Sequence, residues 1–382
     1  MNFRKIMNMV VFTTIVCALS IPAQKRIISK DISSREYKVE DFSGKDYVLL
    51  KKKFGDITEF YLANKRNDPD LTINGEKEKL FSFHKDDKVQ LIQFSKSGEQ
   101  VVFRRLKNNK KVWEMHDIKT KKVKTIESDE GNVSTASFYD YNNYLYITYP
   151  HNERSKVYLV KDNNNPVFIA NGISVLWSPN GKYFLLKSPL SNSLSLREKR
   201  DFGQITREEY QEQLKIQGGP KREIFRKYMI YNLKGEKLLI LQDFDFVDWI
   251  QWSPDGRKIV LRERGDKGFK IVYLEGEGNN ISLAKTVNFP CVEGVHGCLY
   301  PIWSPDGNKI MFKSVIEAEA NQGIQEENLY ILNDSSLNYY KVTDFTTNEI
   351  FGFNWLNNQT ITLTGMIHTT REKIEQEIMI EY

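Results

Sequence analysis

Cys291 and Cys298 lie seven residues apart in the segment CVEGVHGC, which gathers two thiols, the carboxylate of Glu293 and the imidazole of His296. Thiols at this spacing can close a disulfide loop, and Gly294 and Gly297 allow the bend. Two free thiols, or a zinc site with His296 as third ligand, are the alternatives. The paired Cys-x-x-Cys spacing typical of structural zinc is absent, so the segment predicts a disulfide and no metal. The other four histidines, His84, His116, His151 and His368, are scattered along the chain, and each reads as a surface side chain. Asp255 and Asp306 recur inside Pro-Asp-Gly turns, where the turn itself calls for aspartate, so neither is read as a catalytic acid. Asp162-Asn163-Asn164-Asn165 has the acidity of a calcium loop, but a hairpin turn is the simpler reading. No Gly-x-Ser-x-Gly nucleophile elbow occurs, and nothing predicts a cofactor.

The redox state of the cysteines depends on the compartment, and the N-terminus speaks to that. Arg4 and Lys5 precede an apolar run from Met9 to Cys17, and Ile21-Pro22-Ala23 before Gln24 offers a cleavage site. Residues 1–23 are therefore predicted to be a signal peptide, which places the mature chain in a bacterial periplasm or outside the cell. The run is too short for a membrane span. Thr14-Ile15-Val16 lacks the small residue expected before a lipid-modified Cys17, which disfavours a lipoprotein. Removing Arg4 and Lys5 leaves 53 basic against 50 acidic residues. With charge so balanced and no basic stripe interleaved with aromatics, nucleic acid is not an expected partner.

The elements that must position these residues are written in a repeat. Trp177-Ser178-Pro179-Asn180-Gly181, Trp252-Ser253-Pro254-Asp255-Gly256 and Trp303-Ser304-Pro305-Asp306-Gly307 are close copies, and weaker ones are anchored at Phe42, Phe94, Phe138 and Trp355. Successive anchors are 52, 44, 39, 75, 51 and 52 residues apart, near the length of a propeller blade except for one insertion. In each copy an aromatic ends a short strand, a tight turn follows, and an apolar run such as Lys258-Ile259-Val260-Leu261 returns as the next strand. A third strand follows, such as Lys156-Val157-Tyr158-Leu159-Val160, and then a fourth, such as Lys237-Leu238-Leu239-Ile240-Leu241. The copy beginning at Trp355 has room for only three strands, and the segment Lys25 to Lys30 can supply the fourth and close the ring. With 40% hydrophobic residues, 19 Tyr and 22 Phe, the chain suits an all-β core. The prediction is one domain over 24–382, a seven-bladed β-propeller of four-stranded antiparallel blades; six blades with the first copy as a cap is the alternative.

These motifs resemble the TolB-type propeller repeat, also found in the N-terminal propellers of prolyl oligopeptidase and dipeptidyl peptidase relatives. The resemblance covers about residues 36–382. It implies the architecture, and without a nucleophile elbow the hydrolase chemistry of those relatives transfers to no residue of this sequence.

The repeat also sorts its interruptions. If first strands run from top to bottom, the connections between second and third strands, and between blades, all lie on top. There the sequence places the insertion at about 188–227 in blade 4, the Cys291 to Cys298 loop between blades 5 and 6, and a connection from Ser314 to Glu327 in blade 6. Within the insertion, Thr206-Arg207-Glu208-Glu209 is a capping box that should start a short helix ending near Ile216 before Gly218-Gly219-Pro220. Tyr210 and Leu214 are its only apolar pair at helical spacing. A docking element at the propeller mouth follows, with Tyr210, Leu214, Glu293 and His296 as candidate binding residues and an envelope or secreted protein or peptide as partner. The alternative, by resemblance to free-standing propellers that cleave acidic oligosaccharides with a histidine-held metal, is a metal-dependent oligogalacturonate-type lyase or another propeller hydrolase.

Overall fold

The computed structural model describes residues 27–380, apart from 32–37, 43–46, 65–76, 108–109, 128–132, 151–152, 190–195, 217–225, 242–243, 245–246, 318–324, 345–347 and 368–369 and the single residues 202, 266 and 296. The predicted signal peptide, His151, His296 and His368 lie outside them.

Seven four-stranded antiparallel sheets form a ring. The innermost strands are Lys38–Phe42, Leu91–Phe94, Val133–Phe138, Ser174–Trp177, Val247–Trp252, Gly297–Trp303 and Asn348–Trp355, so every aromatic anchor of the repeat ends one of them. Blade 5 shows the plan: Val247–Trp252 turns through Ser253-Pro254-Asp255-Gly256 into Lys258–Glu263, which pairs with Phe269–Glu275 and then Ser282–Phe289. Gly256 takes φ 69°, which a residue with a Cβ rarely adopts, and its missing side chain makes room for Asn180 of the preceding turn. In blade 7, Lys373–Ile380 pairs with Ile27–Asp31, in register from Ile27↔Ile380 to Asp31↔Gln376. The N-terminal strand thus completes the last blade, and the ring has seven blades rather than six.

Each blade turns apolar side chains toward its neighbours on both faces, and the core sits between blades. Among the described residues seven buried clusters lie at the seven interfaces. One example is Val48, Leu50, Ala63 and Leu356 between blades 1 and 7; another is Met311, Leu329, Ile331, Trp355 and Ile361 between blades 6 and 7. Three of the anchors tie their blade to the one before it: the indole N–H groups of Trp177, Trp252 and Trp355 donate to the backbone carbonyls of Ser137, Leu176 and Ile302. The lower turns touch in sequence too. Lys96 and Ser97 N–H donate to Phe138 and Tyr139 carbonyls, Lys258 Nζ donates to the Gly307 carbonyl, and Lys309 Nζ to that of Asn358.

A second device works at the other end of the inner strands. Strand pairing skips one residue at Ser134, Asp248 and Phe351, a bulge that frees backbone groups from the ladder. At each bulge a cation from the second strand of the preceding blade donates to a carbonyl: Arg104 to Ser134 at 3.2 Å, Lys187 to Val247 at 3.4 Å and Lys313 to Ile350 at 3.2 Å. These three cations occupy the same position, three residues beyond the partner of the aromatic anchor.

The blade-4 insertion lies between Tyr183–Pro189 and Arg226–Asn232 and holds two helices, α1 (Leu196–Asp201) and α2 (Arg207–Ile216). Only α2 was predicted; Ser195-Leu196-Arg197-Glu198 carries the same capping-box pattern ahead of α1, but six residues are too few to show an apolar periodicity. The connection in blade 6 is shorter than the sequence suggested. Lys309–Glu317 and Gln325–Asn333 stay paired up to Glu317↔Gln325, leaving 318–324 between them, because the polar ends of these strands continue the hairpin without an apolar pattern to announce it. Asp162-Asn163 is a hairpin turn with both residues at positive φ, between Lys156–Val160 and Val167–Asn171. Among the described residues no helix is long and apolar enough to cross a membrane.

Candidate functional site

The connections on the upper side of the blades include the insertion with its helices α1 and α2, the loop between blades 5 and 6, and the end of the blade-6 hairpin at Glu317↔Gln325. At the upper ends of the inner strands of blades 5 to 7 lie three aromatics that the sequence did not single out. In blade 6 the inner strand pairs Leu299 with Lys313 and then Ile302 with Met311, which leaves Tyr300 and Pro301 outside the ladder. Tyr300 takes φ 54° and is 48% exposed. Its ring meets Trp249 of blade 5 edge-on at 5.3 Å, and the Trp249 indole N–H donates to the Pro301 carbonyl at 2.7 Å. In blade 7 the bulge leaves Phe351 57% exposed, although it sits mid-strand directly after the buried Ile350. A large aromatic left in water on a rigid strand is an unspent contact surface.

Charges fix this aromatic group in place. Lys313 Nζ lies 5.7 Å from the Tyr300 ring centre, donates to Glu327 at 2.7 Å and holds the Ile350 carbonyl, while the Ile350 N–H donates to Glu327 at 2.6 Å. A buried Lys–Glu pair therefore grips both sides of the backbone just before Phe351. Next door, Arg262 donates to Asp248, the bulged residue of blade 5, at 2.6 Å. Pro301 and Gly352, unusual inside strands, are the sequence signals that mark these bulges.

The residues singled out from sequence are placed as follows. Cys291 and Cys298 stand at disulfide distance, with Cα atoms 5.6 Å apart and Cys298 fully buried. Glu293 is exposed on the loop they bracket, and His296 lies outside the described residues. The capping box forms: Glu209 N–H donates to Thr206 Oγ1 at 3.1 Å, and Thr206 N–H to a Glu209 carboxylate oxygen at 2.7 Å. Tyr210 and Leu214 are half-buried on α2. The Arg200 guanidinium of α1 lies 4.6 Å from the Tyr210 ring centre, so that ring serves the contact between the two helices. A cavity of about 670 Å³ follows the polar side of α2, lined by Arg207, Glu208, Gln211, Glu212 and Lys215.

The remaining titratable candidates have structural partners. Burial alone would raise the Asp306 carboxyl, but hydrogen bonds from Ser304 and Asn308 outweigh it and hold the group below its ordinary value, which suits a turn anchor. His116 is at the lower end of blade 2 against Phe81 and Phe103; burial lowers its pKa, and neighbouring Glu114 opposes the shift. His84 Nδ1 accepts the Asp86 N–H in a short helical turn. Among the described residues no three His, Cys, Asp or Glu side chains are grouped to hold a metal ion.

No protein-family model matches the sequence, and no curated protein matches it. Solved structures match the fold. The β-propeller domain of the trilobed protease from Pyrococcus furiosus, described as having an open velcro topology, superposes with a TM-score of 0.53 at 13% identity, covering 89% of this chain and 98% of that one. An oligogalacturonate lyase in complex with manganese gives 0.52 at 11% identity over 93% and 96%. The propeller domain of Cps50 (Swd1) from Myceliophteria thermophila gives 0.52 at 10% identity over 92% and 99%. At such identities the likeness is one of fold: the chain is a seven-bladed β-propeller.

Proposed function

We propose that this propeller is an exported, non-enzymatic binding protein that engages an envelope or secreted protein or peptide through its upper face. The observation that carries the reading is the aromatic group Trp249, Tyr300 and Phe351, which three neighbouring inner strands hold at the mouth by bulges. Rigid, part-exposed aromatics surrounded by charges are the usual centre of a protein contact, because burying them gains much and orders little. The α1–α2 insertion, with Tyr210 and Leu214, and the loop bearing Glu293 and His296 would form the rim of that contact. The disulfide and the predicted signal peptide both suit an oxidising compartment.

The test is affinity capture from an envelope extract, followed by titration of the purified partner. Tyr300→Ala with Phe351→Ala is expected to weaken binding about 30-fold or more, the scale of a hot-spot loss. Replacing 196–219 by a short turn should weaken it as well. Changing the lower-face turn Lys234-Gly235-Glu236 should leave it unaltered. Full affinity in the aromatic variant would assign the wrong surface. Manganese-dependent cleavage of an acidic oligosaccharide that needs this same mouth would replace the binding reading with that of a lyase.

A further inference from the structure

Across the ring from the mouth of blade 5, one corner of the upper face combines apolar side chains on a convex tip with clustered lysines. In blade 1, Tyr47–Phe54 and Ile57–Asn64 are joined by the two-residue turn Gly55-Asp56, with Gly55 at φ 54°. Phe54 and Ile57, the last pair of this hairpin, face each other at its tip and are 49% and 44% exposed. Neither belongs to any of the seven buried clusters. Lys51, Lys52 and Lys53 run up to this tip, and Lys52 Nζ lies 4.2 Å from the centre of the Phe54 ring.

The neighbouring connection adds Lys85 and Lys88, both exposed. Between it and the hairpin is a cavity of about 250 Å³ lined by Lys51, His84, Lys85 and Lys88 over Phe60 and Phe83. Three acids lie nearby against the five lysines: Asp56 pairs with Lys85 at 2.9 Å, Asp87 accepts the His84 N–H at 2.7 Å, and Asp86 stands 3.0 Å from His84 Nδ1.

We propose that this corner is a docking surface for an anionic lipid bilayer, with Phe54 and Ile57 entering the interface and the lysines meeting headgroup phosphates. A protein partner would need a concave or flat apolar patch, whereas here the apolar atoms cap a narrow tip and the charges stand behind it. Lysines that keep their heads in water while their stems cover an aromatic ring behave this way at membrane interfaces. The balanced net charge of the chain is no obstacle, since attraction to an anionic surface acts locally, within about a Debye length. The proposal does not depend on the partner-binding reading above.

The test is sedimentation of the full chain with vesicles of phosphatidylcholine alone or with about one third phosphatidylglycerol. Comparing variants within the same chain cancels any contribution of the apolar segment 9–17, which all of them carry. Binding is expected only with the anionic vesicles and should fall steeply between low and high salt. Each of Lys53→Gln and Lys88→Gln should weaken it about fivefold. Phe54→Ser with Ile57→Ser should weaken it about tenfold or more, with unchanged circular dichroism. The proposal fails if neutral and anionic vesicles bind alike, if neither binds, or if the tip and lysine variants sediment like the parent. Saturable binding of a soluble acidic peptide at Lys51, Lys85 and Lys88, without sedimentation on anionic vesicles, would assign the corner to a protein instead.

Discussion

Lys313 and Glu327 show how a single buried pair sets the shape of the mouth. Each is less than a tenth exposed, and together they bind the N–H and C=O of Ile350, so they replace the ladder bonds that the bulge at Phe351 gives up. Removing one partner strands a charge in the core. Lys313→Met is therefore expected to cost about 3–5 kcal/mol, whereas Lys313→Met combined with Glu327→Leu should recover most of it, because an apolar pair needs no solvation. Urea unfolding of the two variants checks this. Equal losses in both would mean that the Ile350 contacts, and not the unpaired charge, dominate.

At the scale of elements, the short loop from Cys291 to Cys298 illustrates how a covalent tie can hold a site-bearing connection. Cys298 is buried as the second residue of an inner strand, while Cys291 adopts φ 85°, a costly conformation for a residue with a Cβ. Closing so short a loop contributes about 2–3 kcal/mol by chain-entropy arguments. Oxidised protein should yield two fewer titratable thiols than reduced protein, and Cys291→Ser with Cys298→Ala should lower stability by that amount. Two reactive thiols in protein drawn directly from an oxidising compartment would contradict the bond. The helices of the insertion behave differently. No residue of α2 is buried, so its removal should spare the fold and register only in binding.

For the whole molecule, stability rests on closing the ring. The strand Ile27–Asp31 covers the outer edge of Lys373–Ile380, and blade 7 in turn packs Leu356 against Val48 and Leu50 of blade 1. Deleting residues 24–31 would expose a full strand edge in a ring whose blades each lean on the next. The variant is expected to unfold at lower temperature and to aggregate, as seen by thermal melting with light scattering. A melting temperature equal to that of the parent would show that the last blade is stable with three strands.

The repeat was legible from the sequence because it is local. An aromatic, a turn of fixed chemistry and an alternating apolar run recur within a dozen residues, and Trp252 or Trp303 could be placed at the end of an inner strand without any distant information. The capping box at Thr206, the paired cysteines and the closing N-terminal strand were legible for the same reason: each is a short pattern with one good physical outcome. The mouth was not. Tyr300 and Phe351 look like ordinary strand residues until the register of neighbouring strands shows that they have slipped out of the ladder, and Lys313 looks like a surface charge until Glu327 and Ile350 are brought to it. Phe54 and Ile57 read as one more apolar pair until the blade leaves them uncovered. Register and burial depend on which segments meet across the ring, and only the tertiary structure decides that.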